Sequence, residues 1–254
     1  MLQPDAAYSE RYCAFIDILG FGGLISHGQG SVGTIHELLS VVHARRTPDR
    51  PQDADLRQQS ISDAIALSAP VNAAGFDAIC TAAEELSRRL LRSGYFARGG
   101  LTKGPLYHDQ SMVFGPALIE AYRLERDVAK FPRILIPRLV AEDATLYAQQ
   151  GTHWKTNFDE RFMRATDGPF FLHILRDQSR HVQKLAGRIP RPSAKDDGIL
   201  IILSAMRKAI QKRFDEASDN PEHFQKVAWF ANYWNSHIGR WGIAGLESVN
   251  ATPL

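Results

Sequence analysis

The chain has 254 residues, of which 44% are hydrophobic and 23% are charged, a composition typical of a folded globular protein and not of a disordered or fibrous one. Its 30 lysines and arginines nearly balance its 28 aspartates and glutamates, so the formal net charge is only +2. A protein that binds duplex DNA needs a concentrated basic surface, and we therefore expect no nucleic-acid partner.

The sequence also gives no sign of a membrane or secretory protein. The N-terminal segment MLQPDAAYSERY lacks an apolar signal region, and no run of about 18 apolar residues occurs. Cys13 and Cys80 are far apart and lie in apolar surroundings, which favours buried free thiols in a reducing compartment. We expect a cytoplasmic protein with no membrane partner.

The first half of the chain predicts strands and helices in alternation. The segment YCAFIDILG is apolar on both faces, which is typical of a buried strand, and Asp17 is its only charge. A helix is predicted over Thr34 to Arg46, followed by a loop. The segment QSISDAIALSAP predicts two strands joined by a turn at Asp63.

A second helix is predicted to start with Asp77 as its cap and to end at Gly94. The segment YFARGGLTKGPLY then predicts a strand, a glycine-rich kink and a further strand.

The second half begins with a helix that Gly115 and Pro116 open, because proline is tolerated at the first helical position. PRILIP and GPFFLHIL predict short strands, and AGRIPRPSAKDDG predicts a linker before two helices, over Ile199–Phe214 and Pro221–Asn235. Strands interleaved with helices predict an α+β fold, an α/β sandwich. We place the core domain at residues 1–185 and a helical C-terminal extension at residues 186–254.

Asp17 and Asp63 are the most informative residues, because a carboxylate among apolar side chains is costly unless positive charge or hydrogen-bond donors compensate it. Two such carboxylates on neighbouring strands would repel each other. A divalent cation between them is the simplest solution, and aspartate oxygens suit Mg²⁺ or Mn²⁺. The alternative is that each aspartate only caps a turn.

The order of four segments resembles the catalytic domain of class III nucleotidyl cyclases. These segments are FIDILGF, the hairpin with Asp63, RGGLTKG and GPALIEAYRLE. The separation of the two aspartates, 63 − 17 = 46 residues, is similar to that in the family. The resemblance spans Arg11 to Pro137 and implies a ferredoxin-like class III cyclase catalytic core.

The resemblance also implies roles for individual residues. Asp17 and Asp63, with the Ile18 carbonyl, would hold two divalent ions, Mg²⁺ or Mn²⁺, one for the ribose 3′-hydroxyl and one for the triphosphate. Arg98 would bind triphosphate oxygens, although a surface charge on a strand is the alternative. Arg123 would stabilise the transition state across the interface of a homodimer with shared active sites. Two further basic residues could replace Arg123: Arg126 and Lys130.

The chain departs from the family at three positions. Ile119 replaces an asparagine that contacts the ribose region. At the base-reading positions, Gln59 replaces the lysine of adenylyl cyclases and Met112 replaces the partnering aspartate. The purine-reading groups are therefore absent, which favours another base. Gln59, Arg50 and Arg57 are the candidate base-reading residues.

A short cyclase core with these motifs and a helical tail is similar to the Pycsar pyrimidine cyclases of bacteria. That resemblance implies a uridylate cyclase, a phosphorus–oxygen lyase converting UTP (or CTP) to the 3′,5′-cyclic monophosphate and pyrophosphate. It also implies a role in antiphage defence, with a separate effector protein sensing the product. The alternatives are a purine nucleotidyl cyclase with atypical base recognition and a non-catalytic, nucleotide-sensing module.

Overall fold

The computed structural model describes residues 7–21, 32–43, 55–150, 161–176, 194–217, 219–241 and 246–251. Its strands are β1 (Ser9–Ile18), β2 (Arg57–Ile61), β3 (Ala64–Pro70), β4 (Ala97–His108), β5 (Val113–Phe114), β6 (Ile134–Ile136), β7 (Phe162–Arg164) and β8 (Phe170–Leu172). Its helices are α1 (Val32–His43), α2 (Ala73–Arg92), α3 (Pro116–Arg123), α4 (Arg138–Gln149), α5 (Ala194–Glu216) and α6 (Pro221–Trp241). A π-helical turn, Leu124–Val128, continues α3. The α+β prediction is confirmed.

The strands of the described residues form one mixed sheet in the order β2-β3-β1-β4-β6-β8-β7, with β5 paired to β4. Neighbouring strands are antiparallel except for the parallel pair β4–β6. The predicted turn at Asp63 joins β2 to β3. The end of β1 and the starts of β3 and β4 therefore lie side by side at one end of these interior strands. We call this end of the strands the Asp17–Asp63 edge.

The two faces of β1 bury different side chains, because successive residues of a strand point to opposite faces. Tyr12, Ala14 and Ile16 are fully buried in the cluster that α2 and α4 cover. Cys13 and Phe15 face α3, and the Phe15 ring meets the Tyr122 ring edge-on at 5.3 Å. By the same alternation, Asp17 lies on the α3 face of the sheet.

Helix α3 lies unusually close to the sheet at Gly100. A Cβ atom at this position would be 2.4 Å from Cβ of Leu124 and 2.7 Å from the carbonyl oxygen of Ala121. The pairing of Gly100 with Phe15 places this contact next to the Asp17–Arg98 pair. Only a residue without a side chain fits here, so Gly100 fixes the distance between α3 and the strands that carry Asp17 and Arg98.

We expect Gly100→Ala to lower the free energy of unfolding by about 2 kcal/mol, since the added methyl group must push α3 away from the sheet. Urea denaturation measures this change. Gly198→Ala is the matched control: nothing lies within 4 Å of its added Cβ, and the helical position should gain up to about 1 kcal/mol. An unchanged unfolding midpoint in Gly100→Ala would contradict the close approach.

The two C-terminal helices pack against the sheet. Met206 of α5 and Trp234 of α6 share one hydrophobic cluster with Leu135 of β6 and Phe171 of β8. The predicted boundary between residues 185 and 186 lies outside the described residues and stays a prediction. Of the helices described, none combines the length and the apolar character that crossing a membrane requires.

Two local predictions were wrong. Asp77 does not cap α2: the Asn72 side chain accepts the capping hydrogen bond from the Gly75 N–H, and Asp77 instead accepts one from Thr81 inside the helix. The glycines of RGGLTKG do not kink the chain, because β4 runs continuously from Ala97 to His108 with β1 paired along most of it. Within this strand, the absence of a side chain at Gly100 allows α3 to pack closely against β4.

Candidate active site

Asp17, Asp63 and Arg98 lie together at the edge of the sheet. Asp17 is paired directly with Arg98 across β1 and β4. Ile16 is paired with Ile65, so Asp17 is level with the start of β3, immediately after Asp63. Three residues that are 35 to 81 positions apart in the sequence thus become neighbours through strand register.

The Asp17 carboxylate lies in surroundings that disfavour its negative charge. The pKa of Asp17 is raised to about 6, first by burial and then by the negative charges of Glu125 and Asp63, although Arg98 and a backbone hydrogen bond from Ile18 lower it. The net effect is an excess of negative charge at this edge. A cation bound there would relieve it.

The donor set fits a divalent cation of the hard type. Asp17 and Asp63 offer carboxylate oxygens, and the Ile18 carbonyl is a further oxygen at the end of β1, which is the ligand chemistry that Mg²⁺ and Mn²⁺ prefer. Within the described ranges, no group of three or more His, Cys, Asp or Glu side chains is arranged as a metal site. A cation here would therefore rely on two aspartates, backbone oxygen and its own water or substrate ligands.

Asp63 does not behave as a turn cap. It occupies the two-residue turn between β2 and β3 with Ser62, whose φ is +59°. In the part of the chain that the structure describes, no hydrogen bond or ion pair engages the Asp63 carboxylate. Its electrostatic interaction with Asp17 instead links it to the neighbouring strand.

Glu125 is the site residue that sequence reasoning missed. It lies in the π-helical turn after α3, is 4% exposed, and contacts Nη2 of Arg98. The motif GPALIEAYRLE ends on this residue, and it continues the buried stripe of Ala117, Ala121 and Leu124 at helical spacing. A charge on an apolar helical stripe was the signal that could have identified it.

Arg98 is held between two carboxylates. Its Nη2 lies 3.6 Å from Oδ2 of Asp17 and in closer contact with Oε1 of Glu125. The Arg98 side chain is only 20% exposed, so it is not the free surface charge that the sequence left as an alternative. Both of these contacts use Nη2 of Arg98.

Arg123 does not join this group in the single chain. It is exposed and donates two hydrogen bonds of 2.8 Å to Glu120, from Nε and Nη2. Ile119, at the position of the family's asparagine, lies one turn before it and is also exposed. Helix α3 therefore presents Arg123 and Ile119 to solvent and turns Glu125 towards the sheet.

The two residues expected to be able to replace Arg123 lie beyond the regular part of α3. Arg126 is in the π-helical turn, exposed, and pairs with Asp127 at 2.7 Å. Lys130 follows the end of that turn at Ala129. The i→i+5 hydrogen bonding of the π-helical turn departs from regular α-helical spacing here, and the ability of either residue to replace Arg123 stays a prediction.

The candidate base-reading residues differ in what they bind. Gln59 donates from Nε2 to the Ser111 carbonyl at 2.8 Å, and its Oε1 is buried without a hydrogen-bond partner in the described structure. Arg57 is engaged by Asp55 and by the His108 carbonyl. Met112 is exposed beside Ser111, and Arg50 lies outside the described residues.

No family model and no curated protein sequence matches the chain. Similar solved structures include the monomeric guanylyl cyclase domain of the RhoGC fusion protein from the aquatic fungus Blastocladiella emersonii, at 17% identity and a TM-score of 0.43, covering 65% of this chain and 95% of that chain. Another is an adenylate/guanylate cyclase/hydrolase from Silicibacter pomeroyi, at 16% identity and a TM-score of 0.39, with 65% and 95% covered.

Proposed function

We propose that this protein is a nucleotidyl cyclase of the class III type that acts on a pyrimidine nucleoside triphosphate. The observation that carries the proposal is the meeting of Asp17 and Asp63 at one sheet edge beside Arg98. Two carboxylates with unbalanced negative charge next to a cationic side chain suit a cation-bound triphosphate.

The reaction is an intramolecular displacement on the triphosphate. The ribose 3′-hydroxyl releases its proton to water and its oxygen forms a bond to the α-phosphorus, while the bond from that phosphorus to the bridging oxygen breaks and pyrophosphate leaves. Divalent ions at Asp17 and Asp63 would lower the pKa of the 3′-hydroxyl and neutralise phosphate charge. Arg98 would donate to a phosphate oxygen, and Arg123 would supply positive charge where the transition state gains negative charge.

Gln59 supports recognition of a base that carries a hydrogen-bond donor. Because Nε2 of Gln59 is used by the Ser111 carbonyl, the side chain offers Oε1 as a buried acceptor. An acceptor matches the N3–H of uracil or the 4-amino group of cytosine, and equally the N1–H of guanine or the 6-amino group of adenine. The preference for a pyrimidine therefore rests on the missing purine-reading residues and not on this atom.

The surface around Arg123 supports the proposed homodimer with shared active sites. Ile119 and Tyr122 on α3 are exposed by 70% and 40%, and Met112 and Phe114 of the β4–β5 hairpin by 49% and 44%. Exposed apolar side chains on neighbouring elements are typical of an association surface. A second copy covering this face would bring its own Arg123 to the Asp17–Asp63 edge.

The decisive experiment is incubation of the pure protein with each of the four nucleoside triphosphates and Mn²⁺, followed by chromatographic separation of the products. We expect cyclic UMP or cyclic CMP as the main product. Gln59→Ala should reduce the preference for that base. Gln58→Ala should retain the preference, because the Gln58 side chain points to the opposite face of β2.

The other outcomes separate the alternatives. Cyclic AMP or cyclic GMP as the main product would reject the pyrimidine assignment and leave a purine cyclase with atypical base recognition. Nucleotide binding without turnover would identify a sensing module. The cytoplasmic location, the separate effector and the antiphage role are parts of the proposal that follow only if a cyclic pyrimidine nucleotide is made.

A further inference from the structure

Glu125 is a buried carboxylate whose presence the proposed chemistry does not itself require. It is 4% exposed and lies on the sheet-facing side of the π-helical turn. A buried charge is retained only with a partner, because its desolvation is costly. Among the described residues its ion-pair partner is Arg98.

The position of the Glu125 backbone is fixed by close packing. Ala121 and Leu124 lie against Gly100 with no room for a side chain, and the Ala129 N–H donates to the Leu124 carbonyl at 2.8 Å across the π-helical turn. Gly100 is two residues from Arg98 on β4. The Glu125 carboxylate is therefore held at a defined place beside the Arg98 guanidinium.

Arg98 is placed asymmetrically between its two carboxylates. Its Nη2 touches Glu125 but stays 3.6 Å from Oδ2 of Asp17. An arginine without a second partner would close on an aspartate as a two-bond ion pair. Such a pair would occupy the Asp17 oxygens that a divalent cation needs.

We propose that Glu125 is a positioning residue that holds Arg98 back from Asp17 and so keeps an Asp17 oxygen open for a divalent cation. This inference rests on the proposed function, since it assigns Asp17 to cation binding. It explains why an acidic residue is buried next to a site that already carries excess negative charge. Glu125 itself touches neither substrate nor cation.

The test is Mn²⁺ binding to the full chain without nucleotide, measured by electron paramagnetic resonance of free Mn²⁺. Glu125→Gln should raise the dissociation constant about tenfold, a size typical of residues that orient metal ligands. A crystal structure of the variant should show Arg98 bonded to both oxygens of Asp17. An unchanged dissociation constant, or weaker binding with Arg98 unmoved, overturns the proposal.

The control for loss of charge alone is Glu222→Gln. Glu222 is an exposed carboxylate of α6 whose pKa is lowered by Lys226 and, less strongly, by Arg98. Its removal should change Mn²⁺ affinity less than about twofold because exposed charges are screened. An equal loss in both variants would show that only net charge matters and would overturn the positioning role.

Glu125→Asp provides the second variant if Glu125→Gln fails to fold. It keeps the buried charge but shortens the side chain, so a positioning role predicts a few-fold weaker Mn²⁺ binding and a role of charge alone predicts none. Failure of the proposed function gives a different pattern: Mn²⁺ binds at Asp17 and responds to Glu125, yet no cyclic nucleotide forms. If the protein forms a cyclic nucleotide but both Glu125 variants bind Mn²⁺ as tightly as the wild type, the positioning role of Glu125 is rejected and the proposed function is kept.

Discussion

Mixing Asp63→Ala with Arg123→Ala, each inactive alone, is expected to restore cyclase activity. The reason is the geometry of α3. Glu125, two residues after Arg123, faces the sheet and contacts Arg98, whereas the Arg123 side chain is 51% exposed. Arg123 is exposed and held by Glu120, so it serves the Asp17–Asp63 edge of a second copy more readily than that of its own chain.

The expected magnitudes are large. Loss of a positively charged side chain that stabilises the transition state costs on the order of 3 to 4 kcal/mol, a hundredfold or more in rate. With random exchange in a two-fold dimer, about half of the dimers are mixed and each has one intact site, so about a quarter of the wild-type activity should return. Initial rates with the preferred nucleotide measure this recovery.

A mixture of Asp17→Ala with Asp63→Ala is the matched control for complementation. Both changes damage the same half of the shared site, so no mixed dimer holds an intact one and activity should stay absent. Arg138→Ala removes another exposed, paired arginine and should leave activity unchanged. If subunits exchange and the Asp63→Ala and Arg123→Ala mixture stays inactive, the shared-site arrangement is wrong.

Asp17→Asn is expected to lose cyclase activity and nevertheless to unfold at higher urea concentration than the wild type. The folded protein raises the pKa of Asp17 from 3.8 to about 6, so it binds this proton more tightly than the unfolded chain does. Ionised Asp17 therefore lowers the free energy of unfolding above about pH 6, and the cost disappears as the pH falls below about 4.

At pH 7 with a chelator present, the asparagine should add about 2 kcal/mol to the free energy of unfolding. The gain should stay nearly constant above about pH 6 and shrink as the pH falls from about 6 to about 4, because the wild-type carboxyl becomes protonated. Asp167→Asn is the control of opposite sign. Arg133, whose side chain is 1% exposed, lowers the pKa of Asp167, so removing this charge should destabilise the protein at pH 7.

Equal activity in Asp17→Asn or Asp63→Ala and the wild type would reject both residues as ligands of a required cation. A loss of stability in Asp17→Asn at pH 7 would instead show that the Arg98 charge is stabilised mainly by its ion pair with Asp17 and not by that with Glu125. Either result is obtained from the same protein preparations, by turnover in the first case and by urea denaturation in the second.

Much of the local structure was predictable because it depends on neighbouring residues. The apolar run around Asp17 predicted β1, the polar turn at Asp63 predicted the β2–β3 hairpin, and Gly115 with Pro116 predicted the start of α3. These patterns reflect side-chain period and turn chemistry, which act over a few residues. Motif order further indicated which residues to expect in the site.

Local signals failed where two of them competed. Asp77 and Asn72 are both suitable caps, and only the folded chain shows that Asn72 is used. Glycines usually break strands, but Gly100 is retained inside β4 because α3 must approach it. In each case the deciding contact involves spatial packing or hydrogen bonding that a residue type alone does not encode.

The sequence by itself determined which groups are available: an aspartate in an apolar strand, an aspartate in a turn before another apolar strand, an arginine after a strand start, and an arginine on a helix opened by Gly-Pro. Only the tertiary structure decided how they combine. Strand register placed Arg98 opposite Asp17, and helix packing turned Glu125 inward and left Arg123 exposed. The physical reason is that charge–charge contacts act through space, and the distances between these residues are set by the packing of the whole sheet against α3.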